Sequence, residues 1–179
     1  MYQVNHHELD QRLNRTLDRM GVVGQRFRES LTHDLKVNLL EPDSLQAIEV
    51  VGAPGSGRHL VASVVHATAR TCLDRKGPRV DFDCGGVTVA NLEPRLRATL
   101  GGLEGGTLVL DRVDVLGEAG QTELRRVLSE SSTDTLVCAL RADAGGQPLE
   151  VHGKGRIVVK PLHEREEDVW QLLEHFFVS

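Results

Sequence analysis

Ala47-Ile48-Glu49-Val50-Val51-Gly52-Ala53-Pro54-Gly55-Ser56-Gly57-Arg58-His59 is the stretch that decides the fold. A short apolar run stops at Val51, a turn with the spacing G-x-x-x-x-G follows, and a helical pattern begins at once, with Leu60, Val61, Val64, Val65 and Ala69 on one face. Strand, glycine turn and helix in that order read as a phosphate-binding loop. The glycines let backbone N–H groups turn inward as a nest, and the helix that starts there aims its positive end at the same point. Gly52, Gly55, Ser56, Gly57, Arg58 and His59 are therefore the candidate anion-binding residues, with a turn that binds nothing as the alternative.

Such loops usually close on Lys followed by Ser or Thr. Here the pair is Arg58-His59. Arginine keeps the positive charge but brings a wider, planar fork than the compact lysine ammonium. His59 stands where a hydroxyl would hold Mg²⁺, and a neutral imidazole is a poor ligand for that hard, oxygen-seeking ion, so Mg²⁺ binding is expected to be weak. His59 and His66 lie two helical turns apart without a third ligand, which speaks against a zinc site built from that pair.

Outward from the loop, short apolar runs alternate with helical periodicity. Strands are predicted at 47–51, 80–84, 107–110, 136–140 and 157–159, with helices over 60–69, 92–100, 121–128 and 169–177. The glycine-rich pieces 101–106 and 145–155 read as loops. This alternation predicts an α/β three-layer sandwich around a five-stranded, mainly parallel sheet. Ahead of it, Leu9, Leu13, Leu17 and Met20 recur at helical spacing among charged residues. The expected division is a helical extension at 1–44 packing on an α/β domain at 45–179.

Composition narrows the function. The 179 residues suit one domain, and a net charge of −5 with 3% aromatics argues against unspecific binding of nucleic acid. Cys72, Cys84 and Cys138 are odd in number and lack C-x-x-C spacing, so reduced, mostly buried thiols are expected. The polar first residues do not resemble a signal peptide and no apolar run has the length of a membrane span, which makes the cytoplasm the expected location.

The third strand runs Gly105-Gly106-Thr107-Leu108-Val109-Leu110-Asp111-Arg112, the form of a Walker B segment in which an apolar strand delivers a carboxylate to its end. Asp111 is the candidate metal-facing residue. Arg112 follows it and stays protonated at any working pH, so it cannot serve as a base.

Taken in order, these segments resemble the central AAA+ domain of sigma-54-dependent bacterial enhancer-binding activators. Residues 51–66 resemble that family's phosphate loop and helix, Asp83-Cys84 its Asn-Cys, and residues 105–111 its Walker B lead-in. Gln121-Thr-Glu-Leu-Arg-Arg-Val-Leu-Ser-Glu130 follows a family helix, and Pro161-Leu-His-Glu-Arg-Glu-Glu-Asp168 is similar to its Pro-Leu-Arg-Glu-Arg-x-Glu-Asp. The resemblance implies ATP or ADP as the ligand of the loop. It also shows where the chain departs: Arg58 replaces the Walker A lysine, Arg112 the Walker B glutamate, and Leu140-Arg141 the sensor Thr-Asn. The interval 87–106 leaves no room for the sigma-contacting GAFTGA loop, and the shortened stretch 145–155 leaves no clear match to the arginine fingers, with Arg156 as a substitute. The helical lid of that family is expected to be missing or vestigial, with Trp170, Leu173 and Phe177 either capping the sheet or forming an exposed apolar edge.

With no intact catalytic group, the expected function is a non-hydrolysing regulatory or protein-interaction module. Its expected partners are proteins, either other AAA+ subunits or components of a transcription or signalling complex, with no DNA-binding domain in this chain and no membrane. The alternatives are a slow ATPase in which another carboxylate activates water, and a sensor that binds ATP or ADP without turnover.

Overall fold

A computed structural model describes residues 6–40, 47–131, 134–142 and 154–178. Five strands form its centre: β1 (Ala47–Val51), β2 (Arg79–Asp83), β3 (Thr107–Asp111), β4 (Leu136–Arg141) and β5 (Lys154–Val158). They lie in the order β2-β3-β4-β1-β5, and every pairing is parallel. A parallel sheet must be covered on both faces because its crossovers run over them. The alternation of side chains along each strand does this sorting. Ile48, Val50, Val109, Cys138 and Leu140 face one apolar cluster, while Ala47, Leu108, Leu110, Val137 and Ala139 face the other.

The helices divide accordingly. α3 (Arg58–Cys72) covers the first face with α1 (His6–Arg19) and α2 (Gln25–Leu35), whose Leu13, Leu17, Leu31 and Leu35 are fully buried. α4 (Val89–Leu100) and α5 (Glu118–Glu130) cover the second through Leu92, Leu96, Leu124 and Val127. The result is a three-layer α/β sandwich. α4 fills most of the interval between β2 and β3, and a capping box of Thr88 and Asn91 starts it.

Two segments differ from the pattern read in the sequence. The piece 145–155, read as a loop, contributes Lys154 and Gly155 to β5, which ends at Val158 instead of running to residue 159. The glycine there has a packing reason: β5 passes so close to the π-helical turn Lys36–Leu40 that a Cβ on Gly155 would stand 2.7 Å from the Asn38 carbonyl oxygen. The remainder of that piece lies outside the described residues. The second segment is α2, whose two arginines and one glutamate hide its apolar stripe of Phe27, Leu31 and Leu35.

The start of α2 is held by the last helix, α6 (Glu166–Val178). No side chain at its own N-terminus caps it. The buried carboxylate of Asp168 accepts the Phe27 N–H at 3.2 Å, and Gln171 Oε1 accepts the Gln25 N–H at 3.0 Å. Gly24, at φ 96°, leaves space for that carboxylate, since a Cβ there would stand 2.6 Å from Asp168 Cγ. Two of the orphan amides of a helix start are thus satisfied by side chains 141 and 146 residues away in sequence. α6 does not cap the sheet with its aromatic residues: Trp170, Phe176 and Phe177 are 77%, 75% and 83% exposed. Among the described residues no helix is long and apolar enough to cross a membrane.

Candidate phosphate-loop site

The glycine turn connects β1 to α3 at the carboxyl edge of the sheet, with the end of β4 next to it and the end of β3 one strand further. Gly55 and Gly57 take φ of 80° and 102°, conformations that a side chain resists, and Gly57 is the N-cap of α3. The turn is pinned by Gly52 N–H to the Arg141 carbonyl at 3.0 Å and by Ser56 N–H to the Ala53 carbonyl at 3.0 Å. Two polar atoms of this segment, Ser56 Oγ and Arg58 Nη1, are buried with no hydrogen-bond partner among the described residues. Unmatched buried donors beside a helix N-terminus suit a ligand rich in acceptor oxygens, so the donor set fits phosphate. Arg165 braces the turn from outside, donating to the Ser56 carbonyl at 3.0 Å while its guanidinium stacks 4.4 Å over the Phe27 ring. Burial there lowers the pKa of Arg165, and Asp168 opposes the shift.

The carboxyl ends of the strands supply the acidic groups. Asp111 Oδ1 accepts the Arg112 N–H at 2.9 Å, and Oδ2 lies 3.5 Å from His59 Nε2. β2 and β3 pair Asp83 with Asp111, so two carboxylates stand side by side. One is neutralised: Arg112, at φ 57°, turns back to donate through Nε to Asp83 Oδ1 at 2.9 Å and through Nη2 to Oδ2. The guanidinium, with help from the Gly85 N–H, holds the Asp83 carboxyl below the usual range. Burial pushes the neighbouring Cys84 thiol up to about 12. Asp114 accepts the Ala142 N–H at 3.1 Å and so ties the turn after β3 to the end of β4.

In sequence, the chain is 27% identical over 192 aligned positions to the C4-dicarboxylate transport transcriptional regulatory protein DctD of Rhizobium meliloti, covering 86% of this chain and 39% of that protein. It is 30% identical over 162 positions to the nitrogen assimilation regulatory protein NtrX of Azorhizobium caulinodans, covering 72% and 35%. The chain thus spans well under half of either relative. In structure, the P-loop NTPase domain of a sigma-54 transport activator from E. coli superposes with a TM-score of 0.50 at 23% identity, over 76% of this chain and 94% of that one. The fold is that of a P-loop NTPase. A RuvB mutant of Thermotoga maritima aligns with it at a TM-score of 0.54 and 18% identity, over 77% of this chain and 45% of that one. No protein-family model matches the chain. The likeness to sigma-54 activator domains that the motifs suggested is thus found in the comparisons as well.

Around the P-loop, the structure brings Gly52, Gly55, Ser56, Gly57, Arg58, His59 and Asp111 to one edge of the sheet, where the Arg141 backbone joins them while its side chain pairs with Glu49. Arg141 is 5% exposed and points along the α4–α5 face, where Nη1 lies 3.4 Å from Glu49 Oε1. Strand register explains the contact, since Glu49 pairs with Ala139 and the long arginine reaches it from two residues on. The sequence contained a signal for this pair, a lone acid inside the otherwise apolar β1. Arg156 lies opposite Glu49 on β5, exposed, in mid-strand rather than at the carboxyl edge. His66 is engaged elsewhere, with Nδ1 2.9 Å from Thr107 Oγ1, and its pKa is lowered by burial and by Arg70 and Arg79. Sequence reasoning missed the roles of Asp83, Gly85 and Arg165, none of which has a spacing that announces its partner.

Proposed function

We propose that this P-loop domain is a non-hydrolysing regulatory module of the sigma-54 activator type, which binds ATP or ADP and acts through protein contacts. The single observation behind this reading is the clasp between Arg112 and Asp83. At the place where the family carries its water-activating glutamate stands a permanent cation, turned away from the P-loop and held by two hydrogen bonds. The neighbouring departure supports it, because Arg141 is committed to a buried ion pair with Glu49. Gly52, Gly55, Ser56, Gly57, Arg58, His59 and Asp111 make up the nucleotide site in this reading, with no catalytic residue. Asp111 is the metal-facing carboxylate, and the affinity for Mg²⁺ is weak.

The natural partners of such a module are other AAA+ subunits or a component of a transcription or signalling complex in the cytoplasm. Residues 1–44 serve as a helical extension to the domain at 45–179. A phosphate-release assay with ATP and Mg²⁺, paired with calorimetry using ADP, tests the reading. Binding without release supports it; steady release that Asp111→Ala abolishes refutes it.

A further inference from the structure

Arg165 stands in the turn before α6, 109 residues after Ser56, yet its Nη2 donates to the Ser56 carbonyl at 3.0 Å. That oxygen shares a planar peptide with the Gly57 N–H, and in a trans peptide the two point in opposite directions. Fixing the oxygen on Arg165 therefore aims the Gly57 N–H away from that guanidinium. Among the described residues this N–H has no backbone acceptor. The glycine does not choose the orientation by itself. Gly57 has φ 102° and, lacking a Cβ, takes the opposite sign about as readily, which would turn the peptide over and offer an anion the carbonyl in place of the amide. A hydrogen bond accepted by the oxygen also polarises the peptide and makes its N–H the stronger donor.

Arg165 is in turn held by α2 and α6. Its guanidinium lies 4.4 Å over the Phe27 ring, and its backbone carbonyl accepts the Asp168 N–H at 2.9 Å. The buried Asp168 carboxylate accepts the Phe27 N–H at 3.2 Å, which closes a triangle of Arg165, Phe27 and Asp168. Arg165 Nε is buried with no hydrogen-bond partner among the described residues, so the bond to Ser56 is costly to lose.

We propose that Arg165 is a positioning residue of the P-loop: by holding the Ser56 carbonyl it selects the peptide orientation that presents the Gly57 N–H to a phosphate, and it ties that choice to the docking of α2 on α6. The phosphate rests on the proposed nucleotide binding; the fixed peptide does not. Because coupling between two sites is reciprocal, a phosphate at the loop steadies the start of α2 through the same guanidinium.

Inorganic pyrophosphate and ADP, both in chelator, are titrated calorimetrically into the full chain and into its Arg165→Met and Arg165→Lys variants. Amide exchange is followed at Ser56, whose N–H is bonded to the Ala53 carbonyl, and at Phe27. Methionine keeps an apolar stem beside Phe27 and removes the donors. The expected result is about tenfold weaker binding in Arg165→Met, the scale of one hydrogen bond to a charged group. Arg165→Lys should recover part of it, since an ammonium still donates to one carbonyl. Pyrophosphate should slow exchange at Phe27 in wild type and not in Arg165→Met. Arg26→Ala, which breaks an exposed pair with Glu167 nearby, should leave the affinity unchanged. Binding by Arg165→Met as tight as wild type, or a lysine variant no better than the methionine one, overturns the proposal. If neither ligand binds wild type, the nucleotide reading falls, and exchange in the unliganded proteins decides the rest: faster exchange at Ser56 in Arg165→Met supports the positioning role, and equal exchange refutes it.

Discussion

Arg112 and Asp83 face each other across the ends of β3 and β2, joined by Nε to Oδ1 at 2.9 Å and by Nη2 to Oδ2. Both positions depart from the family motif they resemble, and they depart toward each other. Gly85 makes room for the clasp, since a Cβ there would stand 2.3 Å from Arg112 Cζ. A glycine, an acid and an arginine from two separate motifs thus act as one unit.

Restoring the glutamate should therefore not restore hydrolysis. Arg112→Glu places a carboxylate beside Asp83 and Asp111, where like charges raise its pKa, and leaves Arg141 buried. Phosphate release from ATP is expected to stay at background in this variant. Mg²⁺-dependent turnover in Arg112→Glu alone would contradict the expectation.

Nucleotide affinity should depend on Arg58. Its buried, unmatched Nη1 lies at the start of α3, where a charge-assisted contact and the helix end act on the same phosphate. Arg58→Ala should weaken ATP and ADP binding by roughly one to two decades, the equivalent of about 1.5–3 kcal/mol for a hydrogen bond to a charged group. Calorimetric titration of both proteins checks this, and equal affinities would mean that the loop is only a turn.

Glu49 and Arg141 should respond asymmetrically to mutation. Arg141→Ala takes the buried guanidinium away from the Glu49 carboxylate and is expected to cost about 1–3 kcal/mol, whereas the paired change Glu49→Leu with Arg141→Met should recover most of that loss. Urea unfolding of the single and double variants measures the difference. A double variant as unstable as the single one would show that the pair itself stabilises the sheet.

Removing the carboxylate of Asp168 should loosen α2. Asp168→Ala takes away the cap on Phe27 N–H, with an expected loss of about 1–2 kcal/mol. Hydrogen exchange should rise first in residues 25–35. Unchanged protection there would mean that packing of Leu31 and Leu35 alone holds the helix.

Acid should open the clasp. The pKa of Asp83 is depressed below its usual 3.8 by Arg112 and the Gly85 N–H, so its contribution to stability is complete above 3.8 and disappears as the pH falls through the lower folded value. Because the pair is half exposed, the effect is small and weakened by salt. Stability of Asp83→Asn should accordingly fall less steeply than wild type below that pH. Parallel acid dependence of the two proteins would count against the clasp.

Much of this protein is written locally in its sequence. β1, the P-loop and α3 were legible because a run of apolar residues, a set of glycines and a 3.6-residue period each have one simple physical reading, and burial of both sheet faces follows from continuous apolar strands. The replacement of lysine and glutamate by Arg58 and Arg112 could be read in the same way, since an arginine cannot be a base wherever it points. What those residues do instead was not legible. The partners of Arg112, Arg141 and Arg165 come from strands and loops 29, 92 and 109 residues away, so no spacing within one element encodes them. The same holds for α2, whose cap is supplied by α6, and for Gly155, which reads as a loop residue until the turn at Asn38 is packed against it. By itself, then, the sequence determined the layered α/β fold and the presence of Arg58 and Arg112 after the glycine turn and after Asp111, because pattern and residue chemistry act over a few residues; only the tertiary structure decided where Arg112, Arg141 and Arg165 are anchored and that His59 faces Asp111, because those contacts exist only once distant elements are brought together.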